Sequence, residues 1–344
     1  MDAKGQVGSE QQRPTLKTIA FMTGLGVTTV SRALKDAPEI GNETRRRVQM
    51  IAQQLGYRPN RAGVRLRTGK TNVISLVLDT QERVSGFLSD IIYGVSEQLA
   101  NTPYHLIVTP YARSRDPLEP VRYVVETGSA DGIIISRTQP DDPRVRYMME
   151  RGFPFATHGR THHNGQHPYH DFDNQAFASM AVDKLATLGR RRIAILEPPE
   201  GFTYQHHTRN GFLEAVSRHG LEGVSFRPGV NTDLPLDAVS KATVELFARP
   251  NRPDGLVCCH GGAAFAAVAS IEAGGLKLAR DVDVVSKQSF NLLELFRPEL
   301  HVVDEDFLLA GRQLARAVLG AIDGEPIDQL QSLATPAPVV SPSG

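Results

Sequence analysis

From Thr71 onward, short apolar runs alternate with amphipathic stretches, and that alternation leaves few folds open. NVISLVL (72–78) is an apolar run of strand length, and SGFLSDIIYGVSEQLA (85–100) has helical spacing. YHLIVTP, DGIIIS (131–136), FPFATHG, RIAIL, GLVCC (255–259) and VDVVS (282–286) repeat the first pattern. DPLEPVRYVVET, the stretch from Asp173-Asn174 to Leu188, and segments near 208–219, 262–273 and 307–322 repeat the second. Strands separated by helices pair in parallel, because a helical crossover returns the chain to start the next strand in the same direction. So many units exceed one sheet, which predicts two doubly wound parallel lobes over 71–334. Such sheets bind ligands in the crevice outside the carboxyl ends of their strands.

The chain has 344 residues, enough for two or three packed units. Residues 1–13 hold no apolar run and are expected as a disordered leader rather than an export signal. No stretch approaches the roughly 20 apolar residues of a membrane span. Cys258 and Cys259 are adjacent and supply no disulfide framework, and a cytoplasmic protein is expected. A P-loop, GxSxG, HExxH and CxxC are all missing, so neither an enzyme nor a bound cofactor is expected. The net charge of zero is unevenly spread: residues 14–70 hold eleven Lys or Arg against three acids, a net of +8 that the rest offsets. A basic head on an acidic body suits a polyanionic partner, although a solvated basic face has the same composition.

Inside that head, Thr15 precedes LKTIAFM, whose apolar residues have helical spacing behind a good N-cap, and Thr23-Gly24 ends the helix. A second short helix is expected over Val27–Leu34, with Val30, Ala33 and Leu34 inward. A third starts near Asn42, with Val48, Ile51, Ala52 and Leu55 as its inward stripe. Helix, glycine-bearing turn and second helix is the layout that sets a recognition helix in the major groove of DNA. Val27 and Thr28 open that helix, Ser31 and Arg32 face out, and Arg32 suits guanine or phosphate. Thr29 is expected to touch phosphate or to pack. A three-helix bundle without nucleic acid is the plainer alternative. GLGVTT (24–29) half-matches a dinucleotide loop but lacks the preceding strand and the third glycine.

TLKTIAFMTGLGVTTVSRAL, ETRRRVQMIAQQLGYRPN and a basic segment ending LRTGKT together resemble the LacI/GalR repressor family, nearly continuously over 15–70. Their wording is most similar to rhizobial α-glucoside-utilisation repressors. The resemblance implies an all-α helix-turn-helix domain (14–59), a hinge (60–70), and a two-lobed periplasmic-binding-protein-like domain (71–334) that also dimerises, followed by a flexible tail (335–344). It implies DNA contacts from Thr15, Val27, Thr28, Thr29, Ser31, Arg32, Asn42, Tyr57 and Asn60. In the hinge it implies Arg61, Arg65 and Arg67 on phosphate and Leu66 wedged into the minor groove, a flexible basic linker being the plainer alternative. Paired hinges require a homodimer and a near-palindromic double-stranded operator. One departure is Gly26, which stands where the family usually has a capping serine.

The resemblance also implies a small sugar effector between the lobes, reached by Phe87, Arg137, Asp173, Arg209, His260, Gln288 and Glu305. Arg137 is equally suited to a rim charge. Asp173 suits both hydroxyl recognition and a helix N-cap. The family's effector arginine aligns with Thr208, one place from Arg209, and Gln288 replaces an aspartate that often grips the sugar. The expected effector is polar and uncharged, and it releases the repressor from its operator; the same fold also permits a corepressor. His158, His162, His163, His167 and His170 fall within thirteen residues. They are read as a solvated loop, as one or two cleft-lining residues, or as a metal sensor. An enzyme carrying an appended DNA domain is a further alternative.

Overall fold

A computed structural model of the chain describes residues 14–57, 65, 69–79, 87–112, 115–289 and 292–339, the side chains of Phe87 and Asn164 excepted. The chain divides into two compact units, one through Thr71 and one from Asn72.

The first unit holds α1 (Leu16–Thr23), α2 (Val27–Ala33) and α3 (Asn42–Gln54). Thr15 caps α1 reciprocally with Thr18. Thr18 N donates to Thr15 Oγ1 at 3.3 Å, and Thr15 N donates to Thr18 Oγ1 at 3.1 Å. Gly24 then takes the left-handed backbone, at φ 68°, that turns the chain into α2. The core is Ile19, Ala20, Val30, Ala33, Val48 and Ala52, with Leu34, Ile51, Leu55 and Tyr57 packed around it. Both inward stripes read from the spacing meet there.

The second unit contains β1 (Val73–Asp79), α4 (Phe87–Leu99), β2 (His105–Tyr111), α5 (Leu118–Thr127), β3 (Gly132–Ile135), α6 (Pro143–Glu150), β4 (Phe155–His158) and β5 (Tyr169–Phe172). It continues with α7 (Asn174–Thr187), β6 (Arg192–Leu196), α8 (Thr203–Arg218), β7 (Glu222–Ser225), α9 (Leu236–Phe247), β8 (Gly255–Cys258) and α10 (Gly261–Ala273). The last elements are β9 (Asp283–Gln288), α11 (Leu293–Phe296), β10 (His301–Asp304), α12 (Phe307–Asp323) and β11 (Gln331–Ala334). The strands form two parallel sheets, ordered β11-β5-β4-β3-β1-β2 and β10-β9-β8-β6-β7. Helices cover both faces of each sheet, which is why all seven residues of β1 are buried and the strands read as continuous apolar runs.

Lobe boundaries do not follow chain order. β5 belongs to the first sheet, but α7 puts Phe177, Ala181 and Leu185 into the core under the second. β10 belongs to the second sheet, but α12 puts Phe307, Leu314 and Val318 into the core of the first. β11 pairs with β5, and beyond it Val339 packs on the second lobe's core. The chain therefore crosses between the lobes three times. The segment expected as a flexible tail is described to residue 339 and is anchored by that contact.

Two helical expectations need correction. The helix expected over 208–219 runs Thr203–Arg218; its first turns, TYQHHT, hold no apolar stripe to announce them. α9 was not anticipated, although Val239, Ala242, Leu246 and Phe247 make a buried helical face.

Candidate functional site

Between the two sheets lies a cleft. Its walls are the residues at or just past strand ends: Arg137 after β3, His158 and Gly159 at the end of β4, Asp171 in β5 and Pro198 after β6. Cys259 and His260 after β8, Lys287 in β9 and Glu305 after β10 complete the series. Asn174, Tyr204, Thr232, Asp233 and Phe307 close it from the crossovers and loops. Parallel strands all present their carboxyl ends to one side, so a chain of βα units concentrates side chains there without any one motif.

Three ion pairs set the electrostatics. Arg160 Nε donates to Asp171 Oδ2 at 2.7 Å. Arg137 Nη2 donates to Asp233 Oδ2 at 2.5 Å, with Asp79 Oδ2 3.8 Å from its other terminal nitrogen and the Phe202 ring under the guanidinium. Lys287 Nζ donates to Glu305 Oε2 and to Asn174 Oδ1, both at 2.7 Å, and lies 5.1 Å from the centre of the Phe172 ring. Each cleft carboxylate thus has its own cation, and a buried charge without one would be costly. Burial nevertheless raises Asp171 to about 6, the nearby Arg160 only partly opposing it. Burial lowers His158, His170, His207 and His260 to about 4, helped at His158 and His260 by the Lys287 charge. These histidines are neutral at physiological pH.

The expected effector residues divide. Arg137, His260 and Glu305 line the cleft. Asp173 is the N-cap of α7, its Oδ1 accepting from Ala176 N at 3.0 Å; it is not among the cleft-lining residues, and Asp171, two places earlier, is. Arg209 lies off the cleft, pairing with Glu197 Oε2 at 2.9 Å while its side chain stays about half exposed. Gln288 turns away and uses both ends of its amide. Its Nε2 donates to Asp304 Oδ1 at 3.0 Å and its Oε1 accepts from Leu293 N at 3.3 Å. The position expected to replace a sugar-gripping aspartate is therefore committed to the fold, and its neighbour Lys287 faces the cleft instead. Phe87 opens α4, and its side chain lies outside the described residues.

Sequence reasoning missed Asp171, Asn174, Tyr204, Asp233, Lys287 and Phe307. A lysine set in the apolar run VDVVSKQ was the available signal for Lys287. Asp233, brought in by a loop, had none.

The histidine-rich segment splits up. His158 lines the cleft and stacks on His170, with ring centres 6.3 Å apart, and meets the edge of Phe307. His167 is fully buried: Nδ1–H donates to the Pro168 carbonyl at 3.0 Å, which leaves Nε2 to accept from the Thr161 hydroxyl at 2.9 Å. His162 is exposed beside Asp141. Among the described residues no three His, Cys, Asp or Glu are grouped as metal ligands would be. Cys258 and Cys259 are unbridged and buried, and burial pushes the Cys258 thiol up to about 12.

On the head, Val27, Thr28 and Arg32 are exposed, Thr29 and Ser31 partly so, and Thr15 and Asn42 lie at exposed helix starts. Tyr57 is partly buried against the head's core. Gly26 caps α2 with its backbone alone, no side chain reaching the helix end. Lys17, Lys35, Arg46 and Arg47 add exposed positive charge. Within the expected hinge, Arg65 is described, with Gly69 N donating to its carbonyl at 2.8 Å. Asn60, Arg61, Leu66 and Arg67 lie outside the described residues. No described helix is long and apolar enough to cross a membrane.

Known proteins match both parts. Residues 15–60 fit the description "Bacterial regulatory proteins, lacI family", and residues 182–341 fit a periplasmic binding protein-like domain. The chain is 31% identical to the HTH-type transcriptional regulator AglR of Rhizobium meliloti, over 89% of this chain and 87% of that one. It is 32% identical to the HTH-type transcriptional regulator RafR of Escherichia coli, over 94% and 96%. A solved complex of the transcriptional regulator CelR with cellobiose superposes with a TM-score of 0.69 at 26% identity, covering 96% of this chain and all of that one. A helix-turn-helix head, a two-lobed parallel-sheet body and full-length similarity to such regulators lead to one conclusion: the chain belongs to the lacI family of bacterial regulatory proteins.

Proposed function

We propose that the chain is a sequence-specific DNA-binding repressor of sugar-utilisation genes, released from its operator when an uncharged sugar enters the interlobe cleft. The observation that carries this reading is the charge balance of the cleft. Each cleft-lining carboxylate, Asp171, Asp233 and Glu305, has a cation in Arg160, Arg137 and Lys287, Arg137 being shared with the buried Asp79, so no cation is left in surplus to draw an anionic ligand. Ionised pairs still offer strong acceptors and donors to hydroxyl groups, and the Tyr204 and Phe307 rings supply apolar area for the C–H faces of a pyranose. The cellobiose of the solved CelR complex supports the ligand class, and the wording of residues 15–70, similar to rhizobial α-glucoside-utilisation repressors, is the ground for α-glucosides within it.

In this reading residues 14–59 contact DNA, with Val27, Thr28, Ser31 and Arg32 toward the bases and Thr15, Thr29, Asn42 and Tyr57 toward the backbone. Residues 60–70 act as the hinge, Asn60, Arg61, Arg65, Leu66 and Arg67 included. Two copies bind a near-palindromic operator. Phosphate contacts supply salt-dependent affinity, and sugar binding lowers it by favouring a lobe arrangement that disfavours the paired hinges. The test is fluorescence anisotropy of the purified protein on its own promoter fragment and on random DNA of equal length, with and without maltose, sucrose, trehalose, raffinose and cellobiose. Specific binding weakened by at least one sugar is expected. Equal binding to both DNAs, or binding indifferent to every sugar, would overturn it.

A further inference from the structure

We propose that Lys287 and Glu305 form a sugar-hydroxyl subsite built on the interlobe crossovers; this rests on the sugar reading above and names the residues that read the ligand. An ammonium has three N–H donors. Lys287 uses two of them among the described residues, on Asn174 and Glu305. Glu305 accepts that bond through Oε2, and among the described residues its Oε1 has no protein donor. Both residues line the cleft, with the rings of Phe172 and Phe177 beside the ammonium, and the proposed subsite is the remaining donor of the one next to the remaining acceptor of the other. That pairing suits a hydroxyl group, which accepts from Nζ while donating to Oε1, or the two oxygens of a vicinal diol. A carboxylate ligand would satisfy Nζ but set its charge against Glu305.

The placement gives the subsite a second consequence. Asn174 is the first residue of α7, directly after the β5 crossover, and Glu305 lies in the crossover from β10 to α12. Lys287 also covers the ring of Phe172, the last residue of β5. A single side chain of the second lobe therefore holds two of the three strands of chain that join the lobes. A hydroxyl that engages Lys287 and Glu305 acts on the groups that fix the crossovers, and cleft occupancy reaches the lobe geometry without an intermediate relay. Gln288, bonded to Asp304 and Leu293, contributes nothing to this subsite.

The experiment is isothermal titration of the full-length protein with maltose, sucrose, trehalose, melibiose, raffinose, cellobiose and galacturonate, followed by the monodeoxy analogues of whichever neutral sugar binds. One deoxy position is expected to lose about tenfold or more in affinity on the unsubstituted protein. On Lys287→Gln the parent sugar should weaken similarly, and that same deoxy analogue should show no further loss. Lys287→Arg keeps the charge and the Glu305 pair but moves the donor. It guards against a variant that fails to fold, and the same collapse of deoxy sensitivity is expected. If a neutral sugar binds but the deoxy profile of a folded variant matches that of the unsubstituted protein, the subsite is wrong while the sugar reading stands. If only galacturonate binds, or no sugar does, the sugar reading falls and the subsite with it.

Discussion

Arg137, which follows β3 in the first lobe, and Asp233, which the β7–α9 loop brings in from the second, meet at 2.5 Å across the cleft with the guanidinium 5% exposed. Nearby, Thr203 N donates to the Thr138 carbonyl at 2.9 Å, so the lobes are joined there by an ion pair and a backbone bond together. Breaking one side of a buried pair leaves the other charge uncompensated, typically at about 3–5 kcal/mol. Here Asp79, 3.8 Å from the same guanidinium, retains part of the compensation. Asp233→Asn is therefore expected to cost about 1–3 kcal/mol and to favour the open arrangement of the lobes. Small-angle X-ray scattering of the sugar-free protein should show a larger radius of gyration for the variant. An unchanged profile would mean the pair does not hold the lobes together.

Acid should destabilise the second unit. The folded pKa values of His158, His170, His207 and His260 lie at about 4 against an ordinary 6.5, so between those values the unfolded chain binds more protons. Stability contributed by these groups is present above about 6.5 and is lost as pH falls toward 4. Asp171 works the other way: raised to about 6 from 3.8, it favours the folded state at low pH and loses that contribution as pH rises through 6. Four histidines outweigh one carboxylate. Denaturant unfolding is expected to show a loss of roughly several kcal/mol between neutral pH and about pH 5. A flat profile over that range would show that the histidines stay exposed to solvent.

Gly94 on α4 and Gly311 on α12 let two helices cross with their backbones in contact. A Cβ at Gly311 would lie 2.5 Å from the Ile91 carbonyl oxygen and 3.0 Å from Gly94 Cα. Those neighbours are backbone atoms and cannot rotate aside. Gly311→Ala should therefore cost about 1–3 kcal/mol or more, as overpacking of a rigid contact does. Gly165→Ala, where an added Cβ meets nothing within 4 Å, is the control and should fall within about 0.5 kcal/mol of the parent. Equal thermal shifts for the two would refute the close crossing.

The fold was legible because its signals are local. The Thr15 cap, the Gly24 turn and the apolar runs of β1, β3, β6, β8 and β9 each report on a few neighbouring residues. The cleft was legible only in part, because its residues are assembled by crossovers. Arg137, His260 and Glu305 sit just past strand ends, where position alone points to the crevice. Strand alternation decides between Lys287, sent to the cleft, and Gln288, sent into the structure, while Asp171 and Asp173 are separated by where β5 ends and the cap of α7 begins. A one-residue ambiguity in register reverses such assignments. Asp233 depends on a loop whose path only the packed second lobe determines.

Gly26 allows a test of where the start of α2 lies on DNA. It holds φ −67° and ψ 145°, angles that serine adopts freely, and an added Cβ would meet only Thr29 Oγ1 at 3.9 Å. Gly26→Ser should therefore fold normally and gain a few tenths of a kcal/mol from capping the α2 N–H groups, which now have no side-chain partner. If that helix end faces phosphate, as the backbone role proposed for Thr29 implies, the hydroxyl adds one neutral hydrogen bond there. Operator affinity should then rise about fivefold. A neutral group releases no counterion, so the slope of log affinity against log salt should stay the same while the whole line shifts upward. Anisotropy titrations on the promoter fragment at four salt concentrations measure both quantities. An affinity unchanged at every salt would place the start of α2 away from the backbone.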